Sequence, residues 1–166
     1  MPDQSLATVA VFQWNGAIPP LLPSGHPARI SRDDGEEMTC REAEPAALAI
    51  RAALKEAGHA TAEEKLYESD FAWYFHALAG GQAYSLSVQW VILEDTNYIA
   101  VQMSQRRGCI ATLFSPTPLG ETLLPAKQML SEALSKIPDV TCLRWISDDQ
   151  FGAAYCRCEP FPPSDL

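Results

Sequence analysis

The sequence has few basic residues, and none of its basic clusters is longer than Arg106-Arg107. Lys and Arg number 12 against 21 Asp and Glu, which gives a formal net charge of -9. Such a chain repels phosphate backbones and anionic lipids, so we expect no nucleic-acid partner and no membrane partner. No segment approaches the roughly 20 apolar residues of a membrane span, and the start Met1-Pro2-Asp3-Gln4 lacks the features of a signal peptide. We therefore expect a cytoplasmic protein.

Several signatures of chemistry are also missing. Gly-rich phosphate loops, HExxH, GxSxG and paired catalytic carboxylates do not occur, which argues against an enzyme. The five cysteines form an odd, scattered set, which predicts reduced thiols rather than a disulfide framework. Cys156 and Cys158 would share one side of a strand, but a structural zinc site needs four ligands. We expect no metal and no cofactor, and we assign no catalytic residue.

The length and composition predict a single domain, because 166 residues at 47% hydrophobic can supply one core. Residues 1–40 are predicted to form an irregular N-terminal strand followed by a Pro-rich loop, and residues 160–166 are predicted to form a mobile tail. The other predicted elements outside the central region are a weak hairpin around Asp34-Gly35, helices over Pro45 to Ala57 and from Ala126 to Ile137, and short strands over Val140 to Ile146 and Ala153 to Cys158.

The central region predicts an antiparallel meander of four strands joined by three connectors of four residues each. Its strands are Phe71 to Leu78, Ala83 to Leu93, Tyr98 to Ser104 and Cys109 to Phe114. The connector lengths fix a register in which every cross-strand pair on one face is apolar. That register pairs Phe75 with Leu86, Trp73 with Val88, Phe71 with Trp90, Ile92 with Ile99, Trp90 with Val101 and Val88 with Met103.

These patterns together predict an α+β fold. We expect a two-layer sandwich in which two helices pack on the apolar face of an antiparallel meander sheet. Trp73 and Trp90 are the expected anchors of that core.

The opposite sheet face is predicted to carry uncharged polar groups. The register places Tyr74, His76, Ser87, Gln89 and Gln102 there, with Gln89 opposite Gln102 and Ser87 opposite Ser104. Solvated faces usually carry Lys and Glu, so this composition is typical of a covered surface. Three possibilities remain for what covers this face: the N-terminal strand with the proline loop, a protein partner, or a small molecule held in a groove.

The stretch Gln105-Arg106-Arg107-Gly108-Cys109-Ile110-Ala111 follows a predicted strand. It resembles the coenzyme A pyrophosphate loop of the GNAT acetyltransferases, in which Ile110 would stand at a Gly or Ala position. The resemblance implies acyl transfer, with Arg106 and Arg107 holding an anionic group. A Gly-containing hairpin is the other interpretation of the same residues.

The order of helix, meander, helix and two strands, together with the acidic charge, is similar to small bacterial secretion-chaperone and immunity-protein domains. The resemblance implies a protein partner. Our hypothesis is a protein-binding module that forms either a complex with an unidentified protein or a homodimer. Its contact surface is either the sheet face with Tyr74, His76, Ser87, Gln89 and Gln102 or an acidic loop with Asp33, Asp34, Glu36, Glu37, Glu42 and Glu44. The alternative is a small-molecule-binding or GNAT-like enzyme that uses a groove over the same face.

Overall fold

The computed structural model describes residues 7–17, 30–31, 37–38, 41–59, 67–69, 72–93, 96–105, 119–157 and 161. The elements within these residues are β1 (Ala7–Trp14), β2 (Ile30–Ser31), β3 (Glu37–Met38), a 3₁₀ turn (Arg41–Ala43), α1 (Glu44–Glu56), β4 (Tyr67–Ser69), β5 (Ala72–Ala79), β6 (Gln82–Leu93), β7 (Thr96–Gln105), α2 (Leu119–Ser135), β8 (Val140–Ser147) and α3 (Asp148–Arg157). The predicted strand from Cys109 to Phe114 lies outside these residues.

Six of the strands form an antiparallel sheet in the order β4-β5-β6-β7-β1-β8. The pair β2 and β3 forms a separate hairpin in which Ile30 lies opposite Met38, which confirms the predicted hairpin. Among the described residues, no helix combines the length and the apolar character needed to cross a membrane.

The first face of the sheet packs against α1 and α2. Phe12, Phe75 and Leu86 from the sheet are fully buried in one cluster with Ile50 of α1 and Leu130 of α2. The predicted two-layer α+β sandwich is therefore confirmed. Trp73 and Trp90 lie at the border of this cluster and are only partly buried, so the fully buried Phe12 and Phe75 take the anchoring position that was predicted for the tryptophans.

The hairpin between β5 and β6 has the predicted register, with Phe75 opposite Leu86 and Trp73 opposite Val88. The predicted pair Phe71 and Trp90 involves a residue outside the described range. The register predicted for the hairpin between β6 and β7 differs by two residues from the observed one. Leu93 pairs with Thr96, so the turn has two residues rather than four. Trp90 therefore lies opposite Ile99, Val88 opposite Val101 and Leu86 opposite Met103, and a shift of two keeps every side chain on its predicted face.

The N-terminal strand β1 lies inside the sheet, between β7 and β8. Its predicted strand is confirmed, but the strand does not cross the second face as a cover. Ala10 and Phe12 face the first cluster, while Val9 and Val11 belong to a second cluster on the other side. Both kinds of position are apolar because a central strand covered on both faces has no solvent side.

Both predicted helices are present. Gly58, with φ of 85°, follows the end of α1 in the left-handed conformation that glycine adopts without strain. The second helix begins at Leu119, so Pro125 lies inside it rather than near its first turn. Pro125 is exposed, and its ring removes the backbone N–H that would otherwise donate to the carbonyl group four residues earlier. Further along α2, Lys127 lies 5.0 Å from the ring centroid of Trp145 on β8, and burial lowers the pKa of Lys127.

The predicted strand from Ala153 to Cys158 is wrong over Ala153 to Arg157, because these residues belong to the helix α3, and Cys158 lies outside the described residues. The predicted turn over residues 147–150 is the start of this helix. The backbone N–H of Gln150 donates to Ser147 Oγ at 3.1 Å, and the N–H of Ser147 donates to Gln150 Oε1 at 3.0 Å. This reciprocal capping box directs the chain into a helix immediately after β8.

The edge strand β8 contains an irregularity at Cys142. The pairing with β1 shifts between Val11 opposite Arg144 and Gln13 opposite Thr141, which leaves one additional residue on β8. Within the described residues, Cys142 is the non-glycine residue with positive φ, at 54°, and it is exposed. Such a bulge twists an edge strand and discourages pairing with other chains.

We expect Cys142→Gly to stabilise the fold by about 0.5 to 1 kcal/mol, because the relief of left-handed strain exceeds the entropic cost of glycine. Ala83→Gly on β6 is the control and should cost about 0.5 to 1 kcal/mol, since Ala83 has no positive φ to relieve. Urea unfolding measures both changes. Equal destabilisation by the two substitutions would contradict the strain at Cys142.

Tyr84 should make the fold sensitive to alkaline pH. Its side chain is 1% exposed, and burial raises the pKa of the phenol. The phenol is protonated in both the folded and the unfolded state below about pH 10. Above that pH the unfolded state loses its proton first, so the free energy of unfolding falls as pH rises. In urea titrations from pH 8 to pH 11, Tyr84→Phe should show a shallower decline than the wild type, and parallel curves would contradict the assignment.

Candidate functional site

The second face of the sheet carries a group of uncharged polar side chains on β5, β6 and β7, which we call the polar strip. Its members are Tyr74, His76, Ser85, Ser87, Gln89, Gln102 and Ser104. Cβ atoms of directly opposed residues in an antiparallel sheet are about 5 Å apart, so the register decides which of these groups can act together.

Two rows of the strip cross the three strands. Ser87 lies opposite Tyr74 on one side and opposite Gln102 on the other. Ser85 lies between His76 and Ser104 in the neighbouring row. The predicted pairing of Gln89 with Gln102 is wrong, since Gln89 lies opposite Ala100. The predicted pairing of Ser87 with Ser104 is wrong for the same reason, the shorter turn after β6.

The strip is deepest at its centre. His76 is 4% exposed and Ser87 is 8% exposed. Tyr74, Gln89 and Gln102 are half-buried, so their outer atoms remain open to contact. The strip therefore combines a buried floor with a partly accessible rim of hydrogen-bonding groups.

Within the part of the chain that the structure describes, the buried hydroxyl group of Ser87 has no hydrogen-bond partner. Each buried polar group without a partner costs folding free energy, about 1 to 3 kcal/mol in measured cases. The fold tolerates this cost at the centre of the strip, directly beside Tyr74 and Gln102. An unsatisfied hydroxyl at such a position can still donate one hydrogen bond and accept others.

The predicted site residues divide into two groups. The structure brings Tyr74, His76, Ser87, Gln89 and Gln102 onto one face. Arg106 and Arg107 lie outside the described residues, so the anionic group that they were predicted to hold has no described site. Among the described residues, no group of three His, Cys, Asp or Glu side chains is placed to hold a metal ion.

The apolar part of the second face has a cover that the sequence analysis missed. Phe151 and Ala154 of α3, together with Phe161, pack on Val9, Val11, Val91, Tyr98, Ala100 and Ile146. Phe161 is 3% exposed, and the other residues of the predicted mobile tail, 160 and 162–166, lie outside the described residues. The capping box formed by Ser147 and Gln150 is the sequence signal that could have identified α3.

The side chains of the strip offer hydrogen-bond donors and acceptors. Amide groups of Gln89 and Gln102 both donate and accept, as do the hydroxyl groups of the serines and Tyr74. His76 adds an imidazole beside Ser85. Such groups match neutral polar surfaces, including peptide groups, better than they match phosphate or carboxylate.

Comparison of the chain with protein-family models, with curated proteins and with solved structures finds no match in any of the three.

We expect Ser87→Ala to raise the free energy of unfolding by about 1 kcal/mol, because it removes a buried hydroxyl group that has no hydrogen-bond partner. Ser85→Ala, two residues away on the same face and half-buried, is the control and should change stability by less than about 0.5 kcal/mol. Chemical denaturation of the two variants and the wild type measures the difference. A loss of stability in Ser87→Ala would show that the hydroxyl is satisfied.

Proposed function

We propose that the protein is a cytoplasmic, non-enzymatic protein-binding module of the immunity, adaptor or chaperone-like kind. Its contact surface is the polar strip, with Tyr74, Gln89 and Gln102 as the accessible rim. The observation that carries the proposal is the uncharged composition of a half-buried face in a chain of net charge -9.

Three properties of the strip support a protein partner. Interface cores are depleted of Lys, Glu and Asp and enriched in Tyr, and the strip has Tyr74 and no charged member. Its amide and hydroxyl groups can pair with peptide groups of another chain. Its apolar neighbours Val9 and Ala100 lie directly opposite Gln102 and Gln89 and are fully buried in the second cluster, so a packed apolar cluster borders the strip on the same face.

A small molecule over the same strip is the second candidate function. The unpartnered hydroxyl of Ser87 and the buried His76 favour it, because ligand sites combine a few convergent polar groups with burial. Its acyl-transfer version needs the predicted role of Arg106 and Arg107. Saturable thermal stabilisation by acetyl-CoA, or by another metabolite, would support this second candidate over a protein partner.

Gln89→Arg combined with Gln102→Arg should abolish capture of a partner from the native host. Two unpaired cations on the strip would have to be desolvated on binding, which costs several kcal/mol. A tagged pull-down with mass spectrometry identifies the captured protein, and calorimetry with that purified protein should show at least a tenfold weaker Kd for the double variant.

Gln128→Arg combined with Thr141→Arg is the matched control, because it adds the same charge at exposed positions on α2 and β8. This control should bind like the wild type, and circular dichroism should show that both double variants are folded. Equal binding by all three proteins would place the interface elsewhere. Failure of the wild type to capture any protein would contradict the proposal.

A further inference from the structure

We propose that α3 and Phe161 form a cover that opens as a unit from the second face, while the sheet beneath it stays intact. The helix is joined directly to the sheet, since β8 ends at Ser147 and α3 begins at Asp148. A change of backbone direction at this junction would therefore move α3 away from the sheet. The hydrogen bonds between strands do not involve α3 and are preserved.

Phe161 closes the cover through three contacts, which we call the C-terminal clamp. Its ring meets Tyr98 edge to face, with centroids 5.2 Å apart and planes at 82°. The same ring stacks on Phe151 of α3, with centroids 5.9 Å apart and planes at 6°. Its carbonyl oxygen accepts a 2.7 Å hydrogen bond from Arg144 Nη1. One residue thus ties α3 to β7 and to β8.

The helix itself depends on these contacts. It has 10 residues, and isolated helices shorter than about 12 to 15 residues are marginal in water. Its capping box and the acidic residues Asp148 and Asp149 in its first turn support helix formation but do not hold it on the sheet. Docking relies on the buried side chains Phe151 and Ala154 and on the clamp.

Opening would uncover an apolar surface beside the polar strip. Val9 lies directly opposite Gln102, and Ala100 lies directly opposite Gln89. An open cover would therefore present one face with an apolar centre and a polar border, the arrangement found in protein interfaces. This use of the cover rests on the function proposed above, whereas the opening itself does not.

Hydrogen exchange of the full chain tests the opening. In Phe161→Ala, the amides of α3 should exchange at least about tenfold faster than in the wild type, because local exchange follows the opening equilibrium of the unit. Amides of the β5 and β6 hairpin should keep their wild-type rates under the same native conditions. The dye ANS, which binds exposed apolar surface, should fluoresce more strongly with the variant.

Leu123→Ala is the matched control, because Leu123 is buried on the first face and does not touch the cover. It should lower the melting temperature without a selective change in α3. Arg144→Met removes the hydrogen bond to the Phe161 carbonyl and keeps an apolar stem, so it should give a smaller selective increase and carries the test if Phe161→Ala does not fold. Unchanged exchange in α3, or an equal increase in α3 and in the β5 and β6 hairpin, would overturn the proposal. Neither readout requires a partner, so failure of the proposed function leaves the test intact.

Discussion

The fold depends on the insertion of β1 between β7 and β8. This strand pairs with both neighbours, and its residues alternate between two separate apolar clusters. Phe12 anchors the cluster under α1 and α2, while Val9 and Val11 form the floor under α3. Because one strand supplies both clusters, the helices on opposite faces of the sheet are supported by the same short segment.

The two faces are covered unequally, and this inequality creates the candidate site. The first face is packed by α1 with 13 residues and α2 with 17 residues. The described cover of the second face is α3 with 10 residues and Phe161. Its apolar contacts lie on β1, β7, β8 and the last part of β6, at Val91, whereas the polar side chains follow β5, β6 and β7. The change of composition along the face thus matches the limit of the cover.

Local structure could be predicted from the sequence, and long-range pairing could not. The β5 and β6 hairpin has its predicted register because Gly80 and Gly81 allow a tight turn with positive φ at both positions. The next turn has no glycine, and its length was overestimated by two residues. Each strip residue lies on its predicted face despite that error, but the residues directly opposite Gln89 and Gln102 differ from the predicted ones. The position of β1 in the sheet pairs Val9 with Gln102 and with Ile146. Pairs between residues so far apart in the sequence cannot be predicted from a local sequence pattern.

The uncharged strip also limits the kind of recognition that it can perform. Long-range attraction requires charge, and the strip has none, so the geometry of its hydrogen bonds must supply specificity. The Ser87 hydroxyl is already without a described partner in the free protein, so a ligand group that pairs with it gains a hydrogen bond without displacing another one, whereas a mismatched group gains nothing at this position. Selectivity at this face would therefore arise from the gain of correct pairing at Ser87, and the register that places Tyr74 and Gln102 on either side of Ser87 would fix the geometry that a ligand has to match.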